Sequence, residues 1–330
     1  MLPTEALRSR LIARLSAGLF VALCADTTAQ AIPLTSLERT CELIGERLGS
    51  VGVRQCLDSG LQIGGGASVS GLPLLYRDYA ATSQREPPKR VLMIGGIHGD
   101  ELSSISVVFK WMDRLEHSRF QPFHWRVAPC TNPDGLLLQP STRVNARGVD
   151  LNRNFPSADW ERAALTYWTR RTGSDPRRYP GPSALSEPET RWLVDQIEAF
   201  QPDAIVSVHA PYGVLDFDGP QEPPERFGYL HLHQLGTYPG SLGNYAGVNR
   251  GLPVITLELP HAGIMPTAQQ WQRIWADMLT WLDERLTDPA PIYLRLDADP
   301  WNGSPPDDAD GRADFGASAL NLLPRQAAPQ

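Results

Sequence analysis

Apolar runs of strand length alternate with helix-spaced apolar positions along most of this chain. Residues 67–79, ASVSGLPLLYRDY, alternate apolar and polar side chains in the manner of an opening strand pair. RVLMIGGI, residues 90–97, is a continuous apolar run, the pattern of a strand buried on both faces. It leads straight into ELSSISVVFKWMDRL, where Leu102, Ile105, Phe109 and Met112 recur at helical spacing. The alternation returns at residues 186–209, where Ser186 and Glu189 form a capping-box pattern, a helix follows, and DAIVSVH reads as a strand. LPVITLELP, from Leu252, is another short buried strand, and AQQWQRIWADMLTWLDERL is an amphipathic helix. Strands that alternate with helices predict an α/β domain with a mostly parallel, mixed central sheet flanked by helices on both faces.

The two ends of the chain break this pattern. Arg8, Arg10 and Arg14 precede the apolar stretch LSAGLFVALCA, which is too short to span a bilayer, and AQA at 29–31 offers small residues for cleavage. Residues 1–31 therefore read as a signal peptide, with a periplasmic or secreted destination and no membrane span in the mature protein. Leu23 stands before Cys24 where a lipoprotein signal would want a small residue. From Asp297 the chain turns acidic and rich in Pro, Gly and Ala, the composition of a flexible tail. The expected layout is a leader at 1–31, an N-terminal extension at 32–65, one catalytic domain at 66–296 and a tail at 297–330.

Composition narrows the function classes. The 330 residues are 42% hydrophobic, enough for a full core. The net charge is −7, and the basic residues are scattered Arg with no clustered face, so nucleic acid is not an expected partner. Cys41 and Cys56 flank a helix-then-turn segment, and either a disulfide or two free thiols fits that spacing. Cys130, inside the strand-like WRVAPCTNP, reads as a small buried hydrophobe. No cysteine has the spacing of a thiolate metal site.

The chemistry gathers where strands end. In open α/β sheets, ligands collect beyond the carboxyl ends of the strands. His98 and Glu101 follow the run at 90–97, and His209 ends another strand. Two histidines and a glutamate supply the three protein ligands of a catalytic zinc site, with a fourth position left open. The plainer readings are a polar helix start for the first pair and a core histidine for His209. Between them, NPDGLLLQPSTRVNARGVDLNRNFP concentrates Asn, Arg and Asp beyond what an ordinary turn requires.

HGDE at 98–101, NPDG at 132–135, RGVDLNRNFP at 147–156, SVH at 207–209 and TLELP at 256–260, in this order, resemble the zinc carboxypeptidase family that includes carboxypeptidase A. GVDLNRNFP and PGSLG at 239–243 resemble its bacterial murein peptide amidase A branch most. The resemblance covers roughly residues 66–290 and implies one zinc ion per chain, held by His98, Glu101 and His209. It implies that Asn152 and Arg153 grip the substrate's terminal carboxylate, and that Arg143 stabilises the developing oxyanion, with Arg147 a competitor for that role. Asp150 would orient His98, and Glu258 would be the general base that activates water. Tyr238, or else Tyr245, would be the tyrosine that closes on the substrate. The implied substrate is a cell-wall peptide containing diaminopimelate. Asp216 and Asp218 could meet an ammonium group on such a substrate; the plainer reading makes them turn residues before Gly219 and Pro220. An N-acyl amino acid hydrolase of the aspartoacylase type and an inactive zinc-binding peptide module are the alternatives. Glu258 speaks against the inactive module, because binding alone needs no base.

Overall fold

A computed structural model of the chain describes residues 36–83 and 87–287. The leader read at 1–31 and the tail at 297–330 lie outside the described residues. Two short helices, α1 (Ser36–Arg47) and α2 (Val53–Asp58), precede strands β1 (Gln62–Ala67), β2 (Pro73–Tyr79) and β3 (Arg90–Gly95). Then come α3 (Leu102–His117), β4 (His124–Ala128), α4 (Pro133–Leu137), α5 (Trp160–Arg171), α6 (Pro188–Phe200) and β5 (Ala204–His209). The described chain closes with β6 (Leu215–Asp218), the small ribbon β7 (Arg226–Phe227) and β8 (Leu230–His231), β9 (Val254–Glu258) and α7 (Ala268–Thr287).

Seven strands form one sheet in the order β1-β2-β4-β3-β5-β9-β6. The central four, β4, β3, β5 and β9, run parallel, while β1, β2 and β6 pair antiparallel at the margins. The sheet is therefore mixed with a parallel centre, as the alternation of elements implies. Alternate residues of each strand serve opposite faces. Val91 and Met93 join Phe109, Trp111, Trp275 and Met278 of α3 and α7 in one apolar layer. Leu92 and Ile94 join Trp192, Leu193, Ile197 and Phe200 of α6 in the other. Each large side chain buried this way contributes about 1.5–3 kcal/mol relative to exposure.

Helices α1 and α2 are joined by a Cys41–Cys56 disulfide, and Cys41, Ile44, Leu48 and Cys56 are buried in the layer under α3. The described part of 32–65 thus adds to the domain's own core. Strand β1 also crosses residue 66. Its run of glycines carries no apolar pattern, because Trp192 lies over it: an added Cβ at Gly64 or Gly66 would stand 2.6 or 2.5 Å from the indole. The Trp192 Nε1–H donates to the Gly64 carbonyl at 2.8 Å. The capping box does not form at α6, where Glu187 takes the cap position and Pro188 opens the helix. Glu189 turns instead to the Val69 N–H and the Asn145 amide. Asp216 and Asp218 are strand residues of β6, so the turn reading of that pair is corrected.

Candidate active site

Strands β3, β5 and β9 deliver His98, His209 and Glu258 to the same end of the sheet. His209 and Glu258 are the last residues of β5 and β9 and stand directly opposite each other in the parallel register. His98 and Glu101 occupy the turn between β3 and α3. That turn presses on the NPDG helix α4, where a Cβ on Gly99 would stand 2.2 Å from the Gly135 backbone. Only glycine permits this approach. Asn132 locks α4 in turn, its Oδ1 accepting from the Gly135 N–H at 2.9 Å and its Nδ2 donating to the Arg143 carbonyl at 3.1 Å.

His98, Glu101 and His209 are all buried, and one ligand atom from each lies within 4.8 Å of the others. His98 Nδ1 is 2.7 Å from Glu101 Oε1, His209 Nδ1 is 3.0 Å from Glu101 Oε2, and the two Nδ1 atoms are 3.1 Å apart. Two ring nitrogens and a carboxylate aimed at one point suit a cation. Zinc bonds of about 2.0–2.2 Å place tetrahedral ligands about 3.3 Å apart, close to these separations. The donor set therefore fits zinc.

Each imidazole is held on its far side. His98 Nε2 meets Asp150 Oδ1 at 3.2 Å, and His209 Nε2 meets the Ser207 hydroxyl at 2.9 Å. Asp150 is fully buried; its Oδ1 also accepts from the Asn152 N–H, and its Oδ2 accepts from Arg143 Nε at 2.9 Å. One carboxylate thus ties together a histidine, the guanidinium and the LNRN turn. Asp150→Asn is expected to weaken zinc binding by roughly 10–100-fold, measured by competition with a chelator, because such outer partners fix ligand tautomer and orientation. Unchanged affinity would remove Asp150 from this role.

The two arginines differ in position. Arg143 lies 3.2 Å from His98 Nδ1 and 3.6 Å from Glu101, whereas Arg147 is drawn outward to the Ser186 carbonyl and Glu187. Arg153 donates to the Asn152 carbonyl and stands 4.4 Å over the Tyr238 ring, with no carboxylate within 4.0 Å among the described residues. Asn152 Oδ1 accepts from the Leu242 N–H at 2.8 Å, leaving its Nδ2 donors uncommitted among the described residues. Tyr238 joins the site through Arg153 while its own hydroxyl donates to the Leu235 carbonyl. Tyr245 is not brought there: it stacks on Phe155 and its hydroxyl donates to Glu198.

A family model described as zinc carboxypeptidase matches residues 61–218. Murein peptide amidase A of Escherichia coli K12 is 32% identical over 223 residues, which span 66% of this chain and 88% of that protein. The chain belongs to the zinc carboxypeptidase family. Murein peptide amidase A of Vibrio campbellii is 34% identical over 59% of this chain and 77% of that protein. The crystal structure of carboxypeptidase A from Helicoverpa armigera shares the fold, with a TM-score of 0.52, 18% identity and 66% of each chain covered. Membership makes the chain a hydrolase of the metallocarboxypeptidase kind.

Electrostatics separate the two glutamates of this carboxypeptidase cleft. Burial alone would raise Glu101, but His98 and His209 outweigh it and hold the carboxyl well below its ordinary range. Glu258 is pushed the other way, up to about 8, by burial and by the charge of Glu101. It is only 6% exposed, and its Oε2 has no hydrogen-bond partner among the described residues. The Arg143 guanidinium is held protonated by Asp150 and Glu101 against its burial. Two contributors escape sequence reasoning. Ser207 signals itself only by standing two residues before His209 on the same strand face. Tyr212, half-exposed after the His209-Ala-Pro turn, bonds the Glu258 carboxylate through its backbone, and nothing in its sequence setting marks that.

Proposed function

We propose that this hydrolase holds one zinc ion at His98, Glu101 and His209 and cleaves an amide bond next to a free C-terminal carboxylate in cell-wall peptides containing diaminopimelate. The observation that carries the reading is Glu258: a buried carboxylate whose Oε2 lacks a protein partner, at the end of a central strand and directly opposite His209. A buried carboxylate is costly without a partner or a task. When bound, zinc supplies Lewis-acid polarisation and brings the pKa of water toward neutrality. Glu258 Oε2 accepts the proton of the attacking water and delivers it to the leaving amine. Arg143, anchored by Asp150, donates to the carbonyl oxygen as charge builds there. Arg153 and the Nδ2 of Asn152 hold the substrate's carboxylate, with Tyr238 as the flat support of the guanidinium.

The murein substrate is supported by the two murein peptide amidase relatives. These relatives favour the peptidase over the N-acyl amino acid hydrolase. A periplasmic or secreted location agrees with the Cys41–Cys56 disulfide, which persists in oxidising compartments. The clamp is tested with matched peptides bearing free and amidated C-termini. The wild-type protein is expected to prefer the free acid, and Arg153→Ala to lower that preference by roughly 10–100-fold, the worth of hydrogen bonds to a charged group. Zinc content should stay unchanged. Equal loss on both peptides would remove Arg153 from carboxylate recognition.

A further inference from the structure

Helix α4 ends at Leu137, and the carbonyls of its last turn need partners from outside the helix. The chain supplies them by folding back. Leu138 donates its N–H to the Asp134 carbonyl at 3.2 Å, and Thr142 donates its N–H to the Gly135 carbonyl at 2.9 Å. The Ser141 hydroxyl donates to the Leu136 carbonyl at 2.6 Å. The loop therefore closes on the end of α4 immediately before Arg143. Residues 138–140 are exposed and belong to no strand or helix. Beyond the loop, the Arg143 carbonyl accepts from the Gly99 N–H at 3.4 Å, so the same segment also rests on the His98–Glu101 turn.

The outer side of this loop is fixed from a remote part of the chain. Arg47, the last residue of α1, donates from Nε to the Leu136 carbonyl at 3.1 Å and to Ser141 Oγ at 3.0 Å. Its Nη2 donates to the same hydroxyl oxygen, and its Nη1 donates to Gln139 Oε1 at 3.4 Å. These contacts join residues 89 to 94 positions apart. A guanidinium presents its donors in a rigid plane, so it fixes the direction as well as the distance of what it holds. Arginine is also a natural partner for the last carbonyls of a helix.

Arg47 is in turn firmly seated. The Cys41–Cys56 disulfide ties α1 to α2, and Ile44, one turn before Arg47, and Leu48, directly after it, are buried in the core. The Ser50 hydroxyl meets Ser106 Oγ of α3 at 2.7 Å, which fastens the hairpin to the helix that follows the turn carrying His98 and Glu101. Arg143 thus has two supports. Asp150 grips its guanidinium from one side, and Arg47 braces the loop that delivers its backbone from the other.

We propose that Arg47 is a positioning residue for hydrolysis: from the disulfide-closed hairpin of α1 and α2 it braces loop 136–141 and so holds Arg143 where charge builds on the scissile carbonyl. Its contacts fall on the loop, and its effect passes through Arg143. A misplacement of about 1 Å can cost up to roughly 10²-fold in rate. Because Asp150 remains, the loss on removing Arg47 is smaller than the loss on removing Arg143.

This inference rests on the reading of Arg143 as the oxyanion donor, and its test separates the two. Arg47→Met keeps the side-chain stem and loses the donors; it is measured in the zinc-loaded full chain, alone and combined with Arg143→Met. Alone it is expected to lower kcat by roughly 10-fold while KM and zinc content stay near wild type, the signature of an interaction expressed in the transition state. Arg143→Met should lower kcat by at least about 10²-fold. Adding Arg47→Met to it should cost nothing more, because a brace has no work once its arginine is gone. Ser141→Ala removes the loop's side of the contact without touching the hairpin, and the same kcat-only loss is expected there. That variant decides the matter if Arg47→Met does not fold. A purely structural role would lower the melting temperature and add its effect to that of Arg143→Met. Such additivity, or an unchanged kcat in the deciding variant, would overturn the proposal and leave Arg143 in its role. Near-normal kcat in Arg143→Met would overturn both.

Discussion

Glu258→Gln is expected to slow turnover by about 10²–10⁴-fold, the usual contribution of a general base, while zinc content and folding stay close to wild type. Glutamine keeps the shape of the side chain and the Tyr212 side of the site but cannot accept a proton. Peptide affinity should change little, since Arg153, Asn152 and the ligands are untouched. Steady-state kinetics beside metal analysis reads both quantities. Near-normal turnover would mean that another group activates water, and loss of zinc would make Glu258 a ligand or a structural group.

The second large effect concerns the metal. His209→Ala removes one of three converging donors and leaves the Ser207 hydroxyl and Glu101 without their imidazole. The loss in zinc affinity is expected to exceed the ~10–100-fold of an outer partner such as Asp150, and activity should fall with it. Circular dichroism separates this from unfolding. Dialysis of the wild-type protein against a chelator should abolish activity, and added zinc should restore it. Full activity in metal-free protein would remove the zinc reading.

These two residues were legible because each breaks a simple pattern. Glu258 interrupts an apolar strand, and His209 ends another, so burial and chemistry are visible in the sequence itself. The His98–Glu101 pair was legible as a turn after a buried strand, although Gly99 owes its identity to a backbone 36 residues away at Gly135. What stayed hidden depends on contacts between distant segments. Arg143 and Arg147 look alike in sequence, and only the outward pull of Glu187 on Arg147 separates them. Strand β1 has no apolar period because Trp192 covers its glycines. Ser186 and Glu189 have the right spacing for a cap, yet Val69 and Asn145 claim the Glu189 carboxylate.

The zinc-loaded chain is expected to hydrolyse murein peptides at this cleft. The most direct measurement is mass spectrometry of purified muropeptides incubated with the zinc-loaded chain, with Glu258→Gln as the paired control. The expected result is two products whose masses sum to the substrate plus one water, one of them a free peptide with diaminopimelate at or next to the cut, formed at least about 10²-fold more slowly by the variant. Intact muropeptides after prolonged incubation with the wild-type chain, or the same products formed at a near-equal rate by Glu258→Gln, would contradict it.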